Sequence, residues 1–229
     1  MQYIHQGDFR KLINSSFWHH IAFDNNILTI TDPPYNQGYH YNSYNDDLKT
    51  EEYIELLSYI PKPCIIIHYP EETINILPKS FKSNCDEIIT WVYNSNTGKQ
   101  SRLISFWGCK PDFKLLRQPY KNPNDKRIKE RIARGLTGCK SYDWFNINQV
   151  KNVSKQKTEH PCQIPEELID KILTLMSYQK WVYFDPFAGS GTLAKVCEKR
   201  GENSLNVEID EKYFNIIKSR VEKWEEVKV

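Results

Sequence analysis

Cys64-Ile65-Ile66-Ile67-His68 is an apolar run with three successive isoleucines, and a strand with one face in water has no use for it. Neighbouring side chains on a strand point to opposite faces, so both faces of this one must be covered. That is the situation of a strand inside a parallel sheet with helices on each side. Shorter apolar segments repeat the pattern: residues 2–5, 27–31, 87–93, 102–107, 181–184 and 204–207 read as strands. Between them Phe9 to Ile13, Thr50 to Ile60, Glu71 to about Leu77, Pro165 to Ser177, Thr192 to Arg200 and Tyr213 to Val221 read as helices. Thr50 suits an N-cap and Pro165 a first helical position. Gly98 marks a turn between two strands that can pair antiparallel. Alternation of this kind predicts an α/β doubly wound, mostly parallel sheet, whose ligands sit at the carboxyl ends of the strands.

Those ends carry Asp8, Asp32, Asp185 and Glu208. Four acids at successive strand ends are hard to explain as stability devices. The turn Asp32-Pro33-Pro34-Tyr35 is rigid, because two prolines set their own dihedrals and forbid a helix at Asp32. It offers a carboxylate, the Pro33 carbonyl and a tyrosine ring around one small flat object, and a base with an exocyclic amine has that shape. Tyr39, Tyr41 and Tyr44 follow in a polar loop, where closing a pocket and packing within the loop are equally good readings.

Asp185-Pro186-Phe187-Ala188-Gly189-Ser190-Gly191-Thr192 joins a strand to a helix. Its glycines let a ligand approach the backbone, and the free N–H groups of the helix start favour a negative group. Glu208 ends the next strand roughly twenty residues on, where dinucleotide-type folds place an acid on ribose hydroxyls, which favours an adenosine-bearing ligand.

These residues together carry a resemblance. The Asp-Pro-Pro-Tyr turn, followed much later by the Asp-Pro-Phe-Ala-Gly-Ser-Gly-Thr loop, is similar to the amino-methylating (N6-adenine or N4-cytosine) DNA methyltransferases of the permuted class, in which the catalytic motif comes first. His160-Pro161-Cys162-Gln163-Ile164-Pro165 resembles the family's His-Pro-Thr-Gln-Lys-Pro segment, with Cys162 for Thr and Ile164 for Lys. The resemblance implies a Rossmann-like fold, S-adenosylmethionine as cofactor and double-stranded DNA as partner. It also places the first strand beside the strand that ends at Glu208. By position it implies that Asp185, Phe187 and Gly189, Ser190, Gly191 and Thr192 hold the methionine part. Glu208 would take the ribose, Asp8 with Phe9 the adenine edge, and His160 and Pro161 would complete the cofactor site. Asp32, Pro33, Pro34 and Tyr35 would be the catalytic set, with Tyr35 stacking on a base turned out of the duplex. Asp at position 32 points to adenine N6; cytosine N4, or adenine N6 in RNA, are the alternatives. A homodimer and a companion restriction endonuclease are further partners that the resemblance allows.

Pro161-Cys162-Gln163 matches the nucleophile tripeptide of cytosine-C5 methyltransferases, but the expected Glu-Asn-Val partner is missing and the order in the chain is wrong. Coincidence is the better account.

Composition narrows the rest. Between Lys110 and Lys157 thirteen basic residues face four acidic ones, which puts this window at +9 and the remaining chain at −7. The window is read as a basic target-recognition lobe, residues 110–160, inserted in a single domain over 1–229. Its helix from Asp125 to Arg134 carries Arg127, Lys129, Arg131 and Arg134 as DNA-binding candidates. The six cysteines include no Cys-x-x-Cys pair, so no metal site is expected, and adjacent His19-His20 read as surface residues. No apolar run is long enough to span a bilayer, and Met1–His5 lack the start of a secretory signal, so a cytoplasmic protein is expected.

Overall fold

A computed structural model describes residues 1–229 except 37, 39–45, 96–97, 152–153 and 155. The chain runs β1 (Gln2–Gln6), α1 (Phe9–Ile13), α2 (Ser16–Asp24), β2 (Ile27–Thr31), α3 (Thr50–Ser58), β3 (Cys64–His68), α4 (Pro70–Asn75), α5 (Leu77–Phe81), β4 (Glu87–Val92) and β5 (Ser101–Trp107). It continues through β6 (Arg117–Gln118), α6 (Lys126–Ala133), β7 (Cys139–Lys140), β8 (Trp144–Asn146), α7 (Glu166–Met176), β9 (Val182–Asp185), α8 (Thr192–Arg200), β10 (Asn203–Glu208), α9 (Glu211–Arg220) and β11 (Trp224–Glu226). Nine strands form one α/β sheet in the order β11-β1-β10-β9-β2-β3-β5-β4-β8. All its pairs are parallel except β3 with β5 and β5 with β4.

The isoleucine run is the inner strand its composition demands, with every residue buried. Ile65 and Ile67 enter one core with Leu168, Ile172 and Met176 of α7, while Cys64 and Ile66 enter another with Leu57 of α3 and Phe81 of α5. Burying each isoleucine stabilises the fold by roughly 1.5–3 kcal/mol, which a one-sided sheet would forfeit. A third cluster around Ile4, Ala194 and Ile217 joins β1 to α8 and α9. β1 lies beside β10 in parallel, Gln2 opposite Ser204 and Gln6 opposite Glu208, so segments far apart in the sequence are neighbours near one edge of the sheet.

Several elements depart from the expectation. α2 has no counterpart in the expected pattern: Ser15 caps it by accepting from the Trp18 amide, but Ile21 is its one buried residue, so it has no apolar stripe to read. Lys49, not Thr50, is the N-cap of α3, and Pro165 is the N-cap of α7 rather than its first residue. The helix expected over 71–77 is two short ones broken at Ile76, because Pro78 has no N–H to continue the ladder. β11, paired with β1, and β8, paired with β4, are further strands that the pattern does not announce. The basic window is therefore partly continuous with the sheet: Phe145 of β8 and Ile147 just beyond it are in the main core. Its α6 has no buried residue, and β6 pairs with β7 in a separate ribbon. Among the described residues no helix is long and apolar enough to cross a membrane.

Candidate active site

The ends of β1, β2, β9 and β10 open on one cleft of about 1220 Å³, its mouth included, lined by Asp8, Asp32, Asp185 and Glu208 together. Thr31 lies between two of these acids, its hydroxyl donating to Asp185 Oδ1 at 2.7 Å. Asp185 also accepts from the Phe187 amide at 3.1 Å. Glu208 accepts from the Gly189 amide at 2.7 Å and from the Asp210 amide at 2.8 Å. Burial pushes both carboxyls up to about 7, and each also feels a neighbouring acid. No protein cation pairs with either among the described residues.

Gly189 is required where it stands: its φ is 52°, and a Cβ there would meet His160 Nε2 at 2.8 Å. His160 packs edge-on to Tyr213, and burial with Lys157 nearby lowers it to about 4, so the ring is neutral. Gly191 has another duty from the one expected. It does not line the cleft; at φ 73° it starts α8, and a Cβ would strike Ile217 of α9 at 2.8 Å. Ser190 and Thr192 do line the cleft. Arg220 of α9 donates to the Ser190 carbonyl at 2.6 Å and is itself held by Glu166, which fixes the loop from behind. Phe9 and Phe187 form an edge-to-face pair with centroids 5.1 Å apart, an apolar wall for a flat ring. Asp8 caps α1 and is paired with Arg10; burial opposes its ionisation, yet the Arg10 hydrogen bonds hold it below the usual carboxylate range. Pro161, assigned to the cofactor site by position, is exposed and outside the cleft lining, whereas its neighbour Cys162 lines it.

On the other side stands Asp32. The Tyr35 hydroxyl donates to its Oδ1, and Arg102 Nη1 of β5 lies 3.4 Å from its Oδ2. Burial pushes Asp32 up to about 6 against the pull of Arg102 and Tyr35. Tyr35 does not present the open face expected of it. It is 5% exposed, with the Arg102 guanidinium 4.8 Å from its ring centroid and His68 and Tyr69 packed around it. Its hydroxyl meets the acid, and the residue lines the cleft within this cage.

The turn is clamped from β3 and α3. The Tyr69 amide donates to His68 Nδ1 at 2.9 Å, which leaves Nε2–H to donate to the Tyr53 hydroxyl at 2.7 Å, and Tyr53 donates to the Pro34 carbonyl at 2.6 Å. Burial, Arg102 and Lys99 lower His68 to about 3, so this chain runs through a neutral imidazole. Asn36, at φ 55°, closes the turn by exchanging two hydrogen bonds with Leu48. The Pro34 carbonyl is thus occupied, while the Pro33 carbonyl carries no hydrogen bond among the described residues. Tyr39, Tyr41 and Tyr44 lie outside the described residues.

Arg127, Lys129, Arg131 and Arg134 are all exposed on or at the end of α6, whose N-cap is Asp125. Among the described residues no cluster of three or more His, Cys, Asp or Glu could hold a metal ion. Sequence reasoning passed over Arg102, His68, Tyr53 and Thr31. Only Arg102 had a signal: a lone charge in a strand otherwise apolar must find a partner if the strand is inside.

The family model described as DNA methylase, covering N6 and N4 methyltransferases, matches residues 27–219. The chain is 27% identical to the type II methyltransferase M.HpaI of Haemophilus parainfluenzae over 85% of its own length and 68% of the relative's. It is also 27% identical to M.ScaI of Streptomyces caespitosus, over 96% and 81%. Among solved structures, the M1.HpyAVI–SAM complex superposes with a TM-score of 0.60 at 19% identity, covering 96% of this chain and all of that one. The cytosine-N4-specific PvuII DNA methyltransferase superposes with a TM-score of 0.65 at 13% identity, over 97% and 86%.

Proposed function

The chain belongs to the DNA methylase family of N6 and N4 methyltransferases, and from that premise we propose that it transfers a methyl group from S-adenosylmethionine to the N6 amino group of adenine in double-stranded DNA. The observation that carries this reading is the cleft itself, in which Asp32 stands on one side and the unpaired acids Asp185 and Glu208 on the other. A cofactor bearing sulfonium and ammonium charge fits two buried carboxylates that, among the described residues, meet neutral donors and no cation. Asp185, Phe187 and the Gly189 to Thr192 loop would hold its methionine part, Glu208 its ribose, and Asp8 with Phe9 its adenine. When bound, it supplies an electrophilic methyl group.

The chain's own task is the acceptor. An exocyclic amine is a poor nucleophile because its lone pair is spread into the ring. Asp32 and the Pro33 carbonyl each accept one of its N–H groups, which draws the nitrogen out of the ring plane and aims its lone pair. Tyr35 and the His68–Tyr53–Pro34 chain hold those acceptors still. A base inside a duplex cannot reach them, so the target must be turned out. The basic window, above all Arg127, Lys129, Arg131 and Arg134, would contact phosphates and base edges. The chain order, clamp before loop, together with the β1–β10 pairing supports the permuted class. A restriction endonuclease of the same specificity is the expected companion.

Tritiated S-adenosylmethionine offered with unmethylated duplex DNA, single strands and RNA tests this, followed by chromatography of the hydrolysed bases. N6-methyladenine from the duplex is the expected product. N4-methylcytosine alone would overturn the choice of base, and transfer only to RNA the choice of polymer.

A further inference from the structure

Arg102 is the one buried arginine that faces the acceptor half of the cleft. It is 5% exposed, reaches Asp32 from β5 across β3, and does not itself line the cleft. Its guanidinium lies over three rings, with centroids at 4.8 Å for Tyr35, 5.3 Å for Tyr69 and 5.4 Å for Trp91. Its Nε–H is buried with no hydrogen-bond partner. A buried cation with an unmet donor is a poor device for stability, since an apolar side chain in the same space would carry neither cost. The surrounding π faces offset part of that cost and hold the charge in place. What the position provides is one positive charge beside Asp32, outside the space where a substrate sits.

We infer that Arg102 is a positioning residue for methyl transfer: it holds Asp32 ionised and oriented as the hydrogen-bond acceptor for the target amine, from behind the Tyr35 ring. This rests on the reading of Asp32 given above. The two contacts on the carboxylate divide the work. Tyr35 fixes Oδ1, and Arg102 neutralises Oδ2 at 3.4 Å, a separation long enough to leave that oxygen a lone pair for the incoming N–H.

Among the described residues, Arg102 supplies the one positive charge that acts on Asp32. Asp185 of β9 is an acid, and its proximity makes ionisation harder. His68 of β3 is kept neutral by burial and by the charges of Arg102 and Lys99. Tyr93 at the end of β4, Tyr35 on the turn itself and Cys162 ahead of α7 carry no positive charge. With Arg102 removed, only the Tyr35 hydrogen bond would oppose burial at Asp32, and the acid would hold its proton further into the neutral range.

The test compares wild type, Arg102→Gln, Arg102→Lys and Asp32→Asn in single-turnover transfer from saturating S-adenosylmethionine to unmethylated genomic DNA, across pH. The Asp32 carboxyl is also titrated by carbon-13 NMR in the cofactor-free protein, Asp32→Asn identifying its resonance. For Arg102→Gln the rate should fall about 100-fold. The acid limb and the NMR midpoint should both rise by about one pH unit, with cofactor affinity unchanged. Arg102→Lys should keep the midpoint near its wild-type value and recover part of the rate, because charge survives while the planar fork is lost. An unmoved midpoint in Arg102→Gln with normal cofactor binding would reduce Arg102 to packing and overturn the inference. So would a midpoint displaced in Arg102→Lys as far as in Arg102→Gln. If Arg102→Gln loses cofactor binding and its cooperative melt, the Arg102→Lys midpoint decides. Asp32→Asn separates the levels: full transfer by that variant would sink the assignment of Asp32 itself, whereas with an inactive Asp32→Asn the Arg102 midpoints alone decide the role of the arginine.

Discussion

On the β9–β10 side of the cleft, Asp185 and Glu208 are met among the described residues by a hydroxyl and backbone N–H groups, whereas on the β2 side Asp32 faces a buried arginine and a tyrosine hydroxyl. All three acids lie at the ends of parallel strands of one sheet, Asp185 and Glu208 buried and Asp32 half-buried. Burial raises Asp185 and Glu208 to about 7 but Asp32 only to about 6. On the proposed reading, the side that takes the cationic cofactor leaves its charges uncompensated, because the ligand would supply the counter-charge. The side that, on the same reading, takes a neutral base brings its own cation, because the base would bring none. Desolvation acts on both; the partner decides what each acid can do.

The comparison is broken most directly at Asp32. Asp32→Asn should lower the transfer rate about 1,000-fold while cofactor affinity, measured by calorimetry, stays within about twofold. Loss of cofactor binding by that variant would mean that the two halves are not separate. Glu208→Gln removes charge from the other half and should weaken cofactor binding by roughly 10–100-fold, with the rate at saturation near wild type. A reduced saturated rate with unchanged affinity would reverse the assignment.

The same asymmetry appears in pH dependence. A carboxyl whose pKa is raised on folding binds its proton more tightly in the folded chain, so its contribution to stability falls as pH rises from its ordinary value to the raised one. For Asp185 and Glu208 that window runs from about 4 to about 7, and the cofactor-free protein should melt at higher temperature at pH 6 than at pH 8. Binding a cation needs those protons to leave, so cofactor affinity should move oppositely, rising about tenfold per carboxylate between pH 6 and pH 8. Affinity that is flat over this range would remove the electrostatic account of the donor side.

Charge changes on α6 should touch neither half. Arg127→Ala with Arg131→Ala should weaken DNA binding about tenfold and make the salt dependence shallower by about two counterions, leaving cofactor affinity unchanged. The smallest effect is expected at Cys162, which lines the cleft without belonging to either half. Cys162→Ala should keep transfer within about twofold, as no thiolate is used; complete loss with the fold intact would revive a covalent route.

Much of this arrangement is legible in the order of residues alone. Period-two and period-3.6 patterns place most of the sheet and helices, and an isoleucine run that no half-exposed strand would carry requires cover on both faces, though its neighbours prove to be parallel β2 and antiparallel β5. Asp8, Asp32, Asp185 and Glu208 can be placed at one edge because strand ends in such a sheet share an edge. What pattern cannot supply is anything set by contact between distant segments. α2 and β11 lack an apolar rhythm of their own, since each is held mainly by what lies beside it. Pro161 is assigned by its place in a motif, and the chain turns it outward. Tyr35 reads as a stacking face, but the ring belongs to a cage completed by Tyr69 and Arg102.

Local chemistry, written in the sequence, determined that this chain would form a twisted α/β sheet with a rigid Asp-Pro-Pro-Tyr turn and a glycine loop at its rim, because dihedral restriction and burial pattern act over a few residues. Tertiary structure alone decided the state of each acid there. The field at a buried carboxylate depends on the nearest charge in space, and for Asp32 that charge is Arg102, seventy positions away along the chain and 3.4 Å away across β3.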